Sequence, residues 1–209
     1  MRVCLFVCGL FYAGWIAEAA ALYSEDFSKT KVGSVPDTML VLGGNFKVRV
    51  EGKERFLKLS ENPLDLHGVM FGPSKREGVL VEARVLGKRR GRRSFPAFGV
   101  GLNGVSGYRV MVSPAKQNLA LYKGEAVVKV VPFTWKRDRW THVRLQITKA
   151  EDGWILASKA WAQGDKPPEK SLLTWKDKEA PLAGRMTVWG VPYAGTPIFF
   201  DDLKVIKLD

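Results

Sequence analysis

The chain has 209 residues, with 33 Lys and Arg against 21 Asp and Glu, a formal net charge of +12, and 46% hydrophobic residues. That length supports one hydrophobic core and is short for two. Its two cysteines, Cys4 and Cys8, lie close to the N-terminus, which excludes a disulfide framework, a cysteine metal site and a cysteine nucleophile from the body of the chain.

The first segment with a legible role is residues 1–21. Met1 and Arg2 precede an apolar run, Val3 to Ile16, and the small residues Ala17, Ala19, Ala20 and Ala21 follow it. This is the pattern of a secretory signal peptide, with small-x-small sites at Ala17-Glu18-Ala19 and Ala19-Ala20-Ala21. The run is too short to span a bilayer. Val7 precedes Cys8 and most of the apolar run follows it, which argues against a lipidated cysteine. The expectation is export, to the periplasm or beyond, of a mature domain over 22–209. Cleavage removes Arg2 and Glu18, one charge of each sign, so the mature net charge stays at +12. Such a surface favours polyanions. For an exported protein these are acidic or sulfated polysaccharides or an anionic cell surface, with nucleic acid set aside. A purely solubilising role for the charge stays open.

Beyond residue 21 the hydrophobic pattern has period two, broken by Gly, Pro, Asn and Asp, and no segment carries the period of an ordinary helix. Strands are expected over Phe46–Val50, Phe56–Ser60, Val79–Leu86, Ala97–Leu102, Gly107–Val112, Leu119–Lys123, Glu125–Pro132, Thr141–Thr148, Trp154–Trp161, Arg185–Trp189 and Ile198–Ile206. Tight turns at Tyr122-Lys123-Gly124-Glu125 and Glu151-Asp152-Gly153 join neighbouring segments as hairpins. So many strands in one domain predict an all-β fold of two packed antiparallel sheets.

Alternation also says which side chains leave the core. In Val79 to Val85 the valines and Ala83 share one face, so Glu82 and Arg84 share the other. In Trp140 to Ile147, Val143, Leu145 and Ile147 turn inward and His142, Arg144 and Gln146 outward. Arg109 alternates with apolar neighbours in the same way, and Glu82, Arg84, Arg109 and Arg144 are expected to line one polar sheet face. Polar groups among aromatic residues are a surface for sugars, whose hydroxyls bond planar polar groups and whose rings stack on aromatic faces. An ordinary solvated face is the alternative. Trp189 and Tyr193, beside the Gly190 to Gly195 loop, are a candidate stacking platform or a closure of the sandwich edge. Between two strands, Lys88, Arg89, Arg90, Arg92 and Arg93 form a dense cationic loop, a candidate anion site.

Other chemistries lack their residues. His67 and His142 are far apart and have no zinc-site spacing, and His67 reads as part of a turn. No phosphate-binding glycine motif precedes a helix.

Several segments together resemble one family. They are Leu22-Tyr23-Ser24-Glu25-Asp26-Phe27, Val81-Glu82-Ala83-Arg84-Val85, Gly107-Tyr108-Arg109-Val110, Trp140-Thr141-His142-Val143-Arg144-Leu145 and Phe199-Phe200-Asp201-Asp202-Leu203-Lys204-Val205. In order and spacing they are similar to the concanavalin A-like lectin/glucanase (laminin G-like) jelly rolls, nearest to secreted bacterial 3-keto-disaccharide hydrolase-like domains. The resemblance implies a jelly-roll β-sandwich and a lectin-like carbohydrate-binding function, with glycoside hydrolysis and adhesion as the other activities of that fold. Family 16-type retaining glycanases carry E-x-D-x-x-E, which sets two carboxylates about 5 to 5.5 Å apart; this string is absent. The 3-keto-disaccharide hydrolase-like domains typically place an acid after G-Y, where this chain has Arg109. Both departures favour binding without catalysis. The resemblance also implies that the termini pair, bringing Glu25 and Asp26 near Asp201 and Asp202. These are hard oxygen donors of the kind a structural calcium takes. No cofactor is required.

Overall fold

The computed structural model describes residues 21–60, 65–89, 91–92, 94–193 and 196–208; the signal segment, apart from Ala21, and Arg90 and Arg93 lie outside these. The strands are β1 (Ala21–Glu25), β2 (Leu40–Val41), β3 (Phe46–Glu51), β4 (Glu54–Leu59), β5 (His67–Lys75), β6 (Val79–Gly87), β7 (Ala97–Leu102) and β8 (Tyr108–Ser113), followed by β9 (Asn118–Lys123), β10 (Ala126–Pro132), β11 (Thr141–Ala150), β12 (Gly153–Ala162), β13 (Leu173–Asp177), β14 (Gly184–Val191) and β15 (Ile198–Lys207). They form two antiparallel sheets. The eight-stranded sheet runs β13-β12-β11-β6-β15-β4-β3, with β1 added on β15, and the seven-stranded sheet runs β10-β9-β8-β7-β14-β5-β2. The arrangement is a concanavalin A-like jelly-roll sandwich. No helix among the described residues is long and apolar enough to cross a membrane.

The alternation read from the sequence is what packs the two sheets. Val79, Val81, Ala83 and Val85 of β6 and Val143, Leu145 and Ile147 of β11 face Phe98, Val100 and Leu102 of β7 and Val110 and Val112 of β8 across a shared core. Their full burial contributes about 1.5 to 3 kcal/mol for each Val, Leu, Ile or Phe side chain, which outweighs any local preference of the turns. The polar residues between them are left outside. At one end of the core the two sheets are also joined by chemistry: the Tyr108 hydroxyl on β8 donates 2.6 Å to Asp177 Oδ2 on β13, both residues being buried. Lys123 pairs with the same carboxylate oxygen at 2.7 Å.

Four strands, β1, β2, β5 and β13, escape the sequence reading. β5 shows why. Its apolar stretch Val69-Met70-Phe71 is short and is bracketed by Gly68, Gly72 and Pro73, which look like turn residues. Gly68 has another purpose. A Cβ there would lie 2.6 Å from the Trp189 ring, so the glycine makes room for that ring on the neighbouring strand. His67, read as a turn residue, accordingly begins a strand paired with Gly190.

Replacing Tyr108 by Phe deletes the inter-sheet hydrogen bond while leaving Asp177 its lysine. The expected loss is about 1 to 2 kcal/mol, a fall of about 2 to 8 °C in Tm for a domain of this size, measurable by thermal unfolding followed by circular dichroism.

Candidate functional site

The two outer faces of the sandwich differ in kind. On the eight-stranded sheet, antiparallel register sets Arg144 opposite Glu82 and His142 opposite Arg84, with Trp161 of β12 opposite His142 and Asp201 of β15 opposite Arg84. Arg144 donates to Glu82 Oε2 from Nε at 2.7 Å, with Nη2 2.5 Å from the same oxygen. The His142 ring lies 3.4 Å from Glu82 Oε1 and stacks on Trp161, with centroids 4.9 Å apart and planes 2° from parallel. Arg84 pairs with Asp201 at 2.5 Å and Asp202 at 3.1 Å, and its guanidinium lies 4.5 Å from the Trp140 ring centroid.

The two central carboxyls respond oppositely to this crowding. Burial pushes Glu82 up, but His142 and Arg144 outweigh it and hold the group below its ordinary range. For Asp201, burial outweighs the Arg84 hydrogen bond, and its pKa is pushed up to about 6. These groups spend their hydrogen-bonding capacity on one another, and Asp201 is only 4% exposed. The face is a closed ion-pair network, not an open receptor.

The seven-stranded sheet is different. Its outer surface carries the small residues Ala97 on β7 and Ala120 on β9. The result is a depression of about 410 Å³ over β7 to β10, lined by Ala97 and Ala120 with Arg109, Met111, Asn118 and Tyr122 among the residues around them. Arg109, 6% exposed, lies between two rings, 4.6 Å from Tyr122 and 5.9 Å from Trp189. It donates to the Gly124 carbonyl at 2.7 Å and pairs with Glu125 at 3.2 Å. Lys116, Ser113, Glu125 and the apolar Leu66, Val127, Val130 and Val191 also line it. A floor of small residues beside a fixed guanidinium, an aromatic ring, an amide and a hydroxyl has the chemistry to receive a polar ring compound.

This layout corrects four sequence expectations. Arg109 does not share a face with Glu82, Arg84 and Arg144; it belongs to the other sheet and points from the opposite side of the sandwich. Trp189 is buried, its ring laid across Gly68 and Gly101, so it supports Arg109 and offers no free platform. Tyr193 is 38% exposed, its N–H donating to Thr196 Oγ1, and neither it nor Trp189 lines the depression. The candidate calcium set does not converge, although β1 does pair with β15 as expected. Glu25 accepts the Phe27 N–H and Asp26 the Ser28 N–H, while Asp201 and Asp202 turn to Arg84 on the outer face. No group of three or more metal-ligating side chains occurs among the described residues.

Within the cationic loop, Lys88 lies 4.9 Å from the Phe199 ring centroid and Arg89 lies 5.0 Å from that of Phe95, so at least these two cations are seated on aromatic faces. Arg92 is exposed. The residues that sequence reading missed are Tyr122, Asn118, Met111 and Lys116. Alternation against buried Leu119 and Leu121 places Asn118, Ala120 and Tyr122 outward, and that was the available signal.

No protein-family model and no curated protein sequence matches this chain. Solved structures do. The Bacillus subtilis carbohydrate-binding module CBM66 is 12% identical with a TM-score of 0.59, covering 81% of this chain and 96% of that one. The carbohydrate recognition domain of Emp47p is 12% identical with a TM-score of 0.60, covering 93% and 99%. A Bacillus subtilis protein of unknown function with a galectin-like fold is 13% identical with a TM-score of 0.60, covering 91% and 97%. At such identities the likeness establishes the concanavalin A-like fold.

The raised Asp201 pKa has a signed consequence. A carboxyl with a folded pKa near 6 and an unfolded value near 3.8 contributes stability that is complete below pH 3.8 and is lost as pH rises through 6. The stability of the wild type relative to D201N should therefore be greatest near pH 4 and decline toward pH 7. Urea midpoints of the two proteins across that window check it; a constant difference overturns the assignment.

Proposed function

We propose that this protein is an exported, non-catalytic carbohydrate-binding module that receives a glycan on the outer face of its seven-stranded sheet. The observation that carries this reading is the small-residue depression beside Arg109, whose guanidinium is fixed between Tyr122 and Trp189 and next to the Asn118 amide. A volume of about 410 Å³ lies within the usual range of ligand sites, roughly 300 to 1,000 Å³. Arg109, engaged by the Gly124 carbonyl and Glu125, holds the wall of the depression in place, and Asn118, Ser113 and Lys116 add polar groups around it. The fold neighbours include a carbohydrate-binding module and a carbohydrate recognition domain, which supports the ligand class.

Binding without turnover is favoured by the carboxylate inventory. Glycoside hydrolysis ordinarily uses two carboxyls across the scissile bond, and among the described residues Glu125, paired with Arg109, is the only acid lining the depression. The excess of cations supports an anionic glycan. Residues 1–21 support export, and a structural calcium forms no part of this reading.

Y122A should lower affinity for a glycan identified on an array by at least tenfold, with the melting temperature nearly unchanged because Tyr122 is only half-buried. A97L, which fills the floor, should do the same. Unaltered binding by both variants would place the site elsewhere, and release of a shortened sugar by the wild type would make the protein an enzyme. Mass spectrometry of exported protein should find an N-terminus near Ala20 or Leu22; an intact Met1 refutes cleavage.

A further inference from the structure

The turn Pro114–Gln117, which joins β8 to β9, separates two depressions. Ser113, Lys116 and Asn118 line the one on the sheet face, whereas Pro114 and Gln117 line a second, of about 240 Å³, at the end of the sandwich. The second is bounded on its other sides by Arg89, Phe95, Thr134, Trp135 and Arg137. The turn is held in place rather than loosely draped. The Gln117 carbonyl accepts the Phe133 N–H at 3.0 Å, and Gln117 itself keeps a left-handed backbone, φ 49°, that a non-glycine residue adopts only when its surroundings hold it there.

The electrostatics of the two depressions differ. On the sheet face the Arg109 charge is answered by Glu125. Among the described residues, no carboxylate lines the end depression, and two guanidiniums do. Arg89 is half-buried on the Phe95 ring and uses its Nε to donate to the Gly91 carbonyl at 2.5 Å, while none of the described residues accepts from its terminal nitrogens. Arg137 has only a distant carboxylate, Asp138 at 4.0 Å. Trp135, which shares the lining, keeps a buried ring N–H without a hydrogen-bond partner. Paired guanidinium donors against aromatic walls match the geometry of an oxyanion, which accepts from arginine through two oxygens at once.

We infer that the end depression is an anion subsite of the glycan site, so that one extended ligand lays a sugar ring on the sheet face and reaches across the Pro114–Gln117 turn to place a sulfate or carboxylate between Arg89 and Arg137. This rests on the sheet-face reading above and adds to it the class of ligand: an acidic oligosaccharide longer than one ring.

Calorimetric titration with a heparin-derived tetrasaccharide, the same molecule desulfated, and the same molecule desulfated and carboxyl-reduced tests this with wild type, R89S/R137S, R89K/R137K and Y122A. For the sulfated ligand, R89S/R137S should bind at least tenfold more weakly. Its plot of log affinity against log salt should be shallower by about 1.4, if each cation acts as it does on a single-stranded polyanion. R89K/R137K should recover much of that slope. For the neutral ligand the serine variant should equal wild type, and Y122A should weaken all three. Retained weakening with the desulfated ligand identifies carboxylate as sufficient, and its absence identifies sulfate as required. Equal binding of the sulfated ligand by R89S/R137S and wild type overturns the subsite while the sheet-face reading stands. A loss in R89S/R137S with no loss in Y122A overturns the shared groove and the sheet-face reading together, as does failure of the wild type to bind any of the three.

Discussion

A single extra residue in the last strand determines how the rest of the sandwich closes. β15 lies between β6 and β4 and also carries β1, so three strands depend on its register. Ile198 and Phe200 face the core, and strict alternation from them would send Asp202 inward and Leu203 to solvent. The strand instead bulges between Asp201 and Lys204, with Asp202 at a left-handed φ of 49°. Leu203 and Val205 are thereby returned to the core, and two carboxylates leave on the outer face. Arg84 meets both. Removing the arginine would strand a nearly buried acid, which is far more costly than the pair is favourable, so Arg84 is a register residue for the sheet before it is anything else.

That account explains what alternation could and could not disclose. Within β6 and β11 it separates Val81, Ala83, Val143 and Leu145 from Glu82, Arg84, His142 and Arg144 correctly, because facing inward or outward is a property of one strand. Which sheet a strand joins is a property of the whole topology. Arg109 alternates as cleanly as Arg144, and nothing local to Gly107-Tyr108-Arg109-Val110 assigns it to the seven-stranded sheet. Trp189 was illegible for a related reason. Its burial depends on Gly68 and Gly101, which lie 121 and 88 positions earlier in the chain and become its neighbours only once β5 and β7 flank β14. The fold class and the resemblance needed only order and spacing; the site needed long-range pairing.

The contrast between the outer faces follows from side-chain size as much as from charge. Over the eight-stranded sheet, long residues cover the backbone and pair with one another, and such networks contribute geometric specificity more dependably than net stability. Over the seven-stranded sheet, β7 supplies Ala97, Gly99 and Gly101, and a Cβ at Gly99 would fall 1.8 Å from the Val110 carbonyl oxygen. The glycine is thus demanded by the approach of β8, whereas the small residues of the depression itself are Ala97 and Ala120.

Arg109 is a buried charge on the outer side of the seven-stranded sheet, and its surroundings decide what it can supply. A guanidinium is always protonated in a protein, so it supplies donors and never a base. Burial between Tyr122 and Trp189 would be costly for an uncompensated charge. The Gly124 carbonyl, the Glu125 carboxylate and the ring faces compensate it, and they fix the plane of its donors in doing so. A fixed arginine at this position offers hydrogen-bond donors and no proton acceptor.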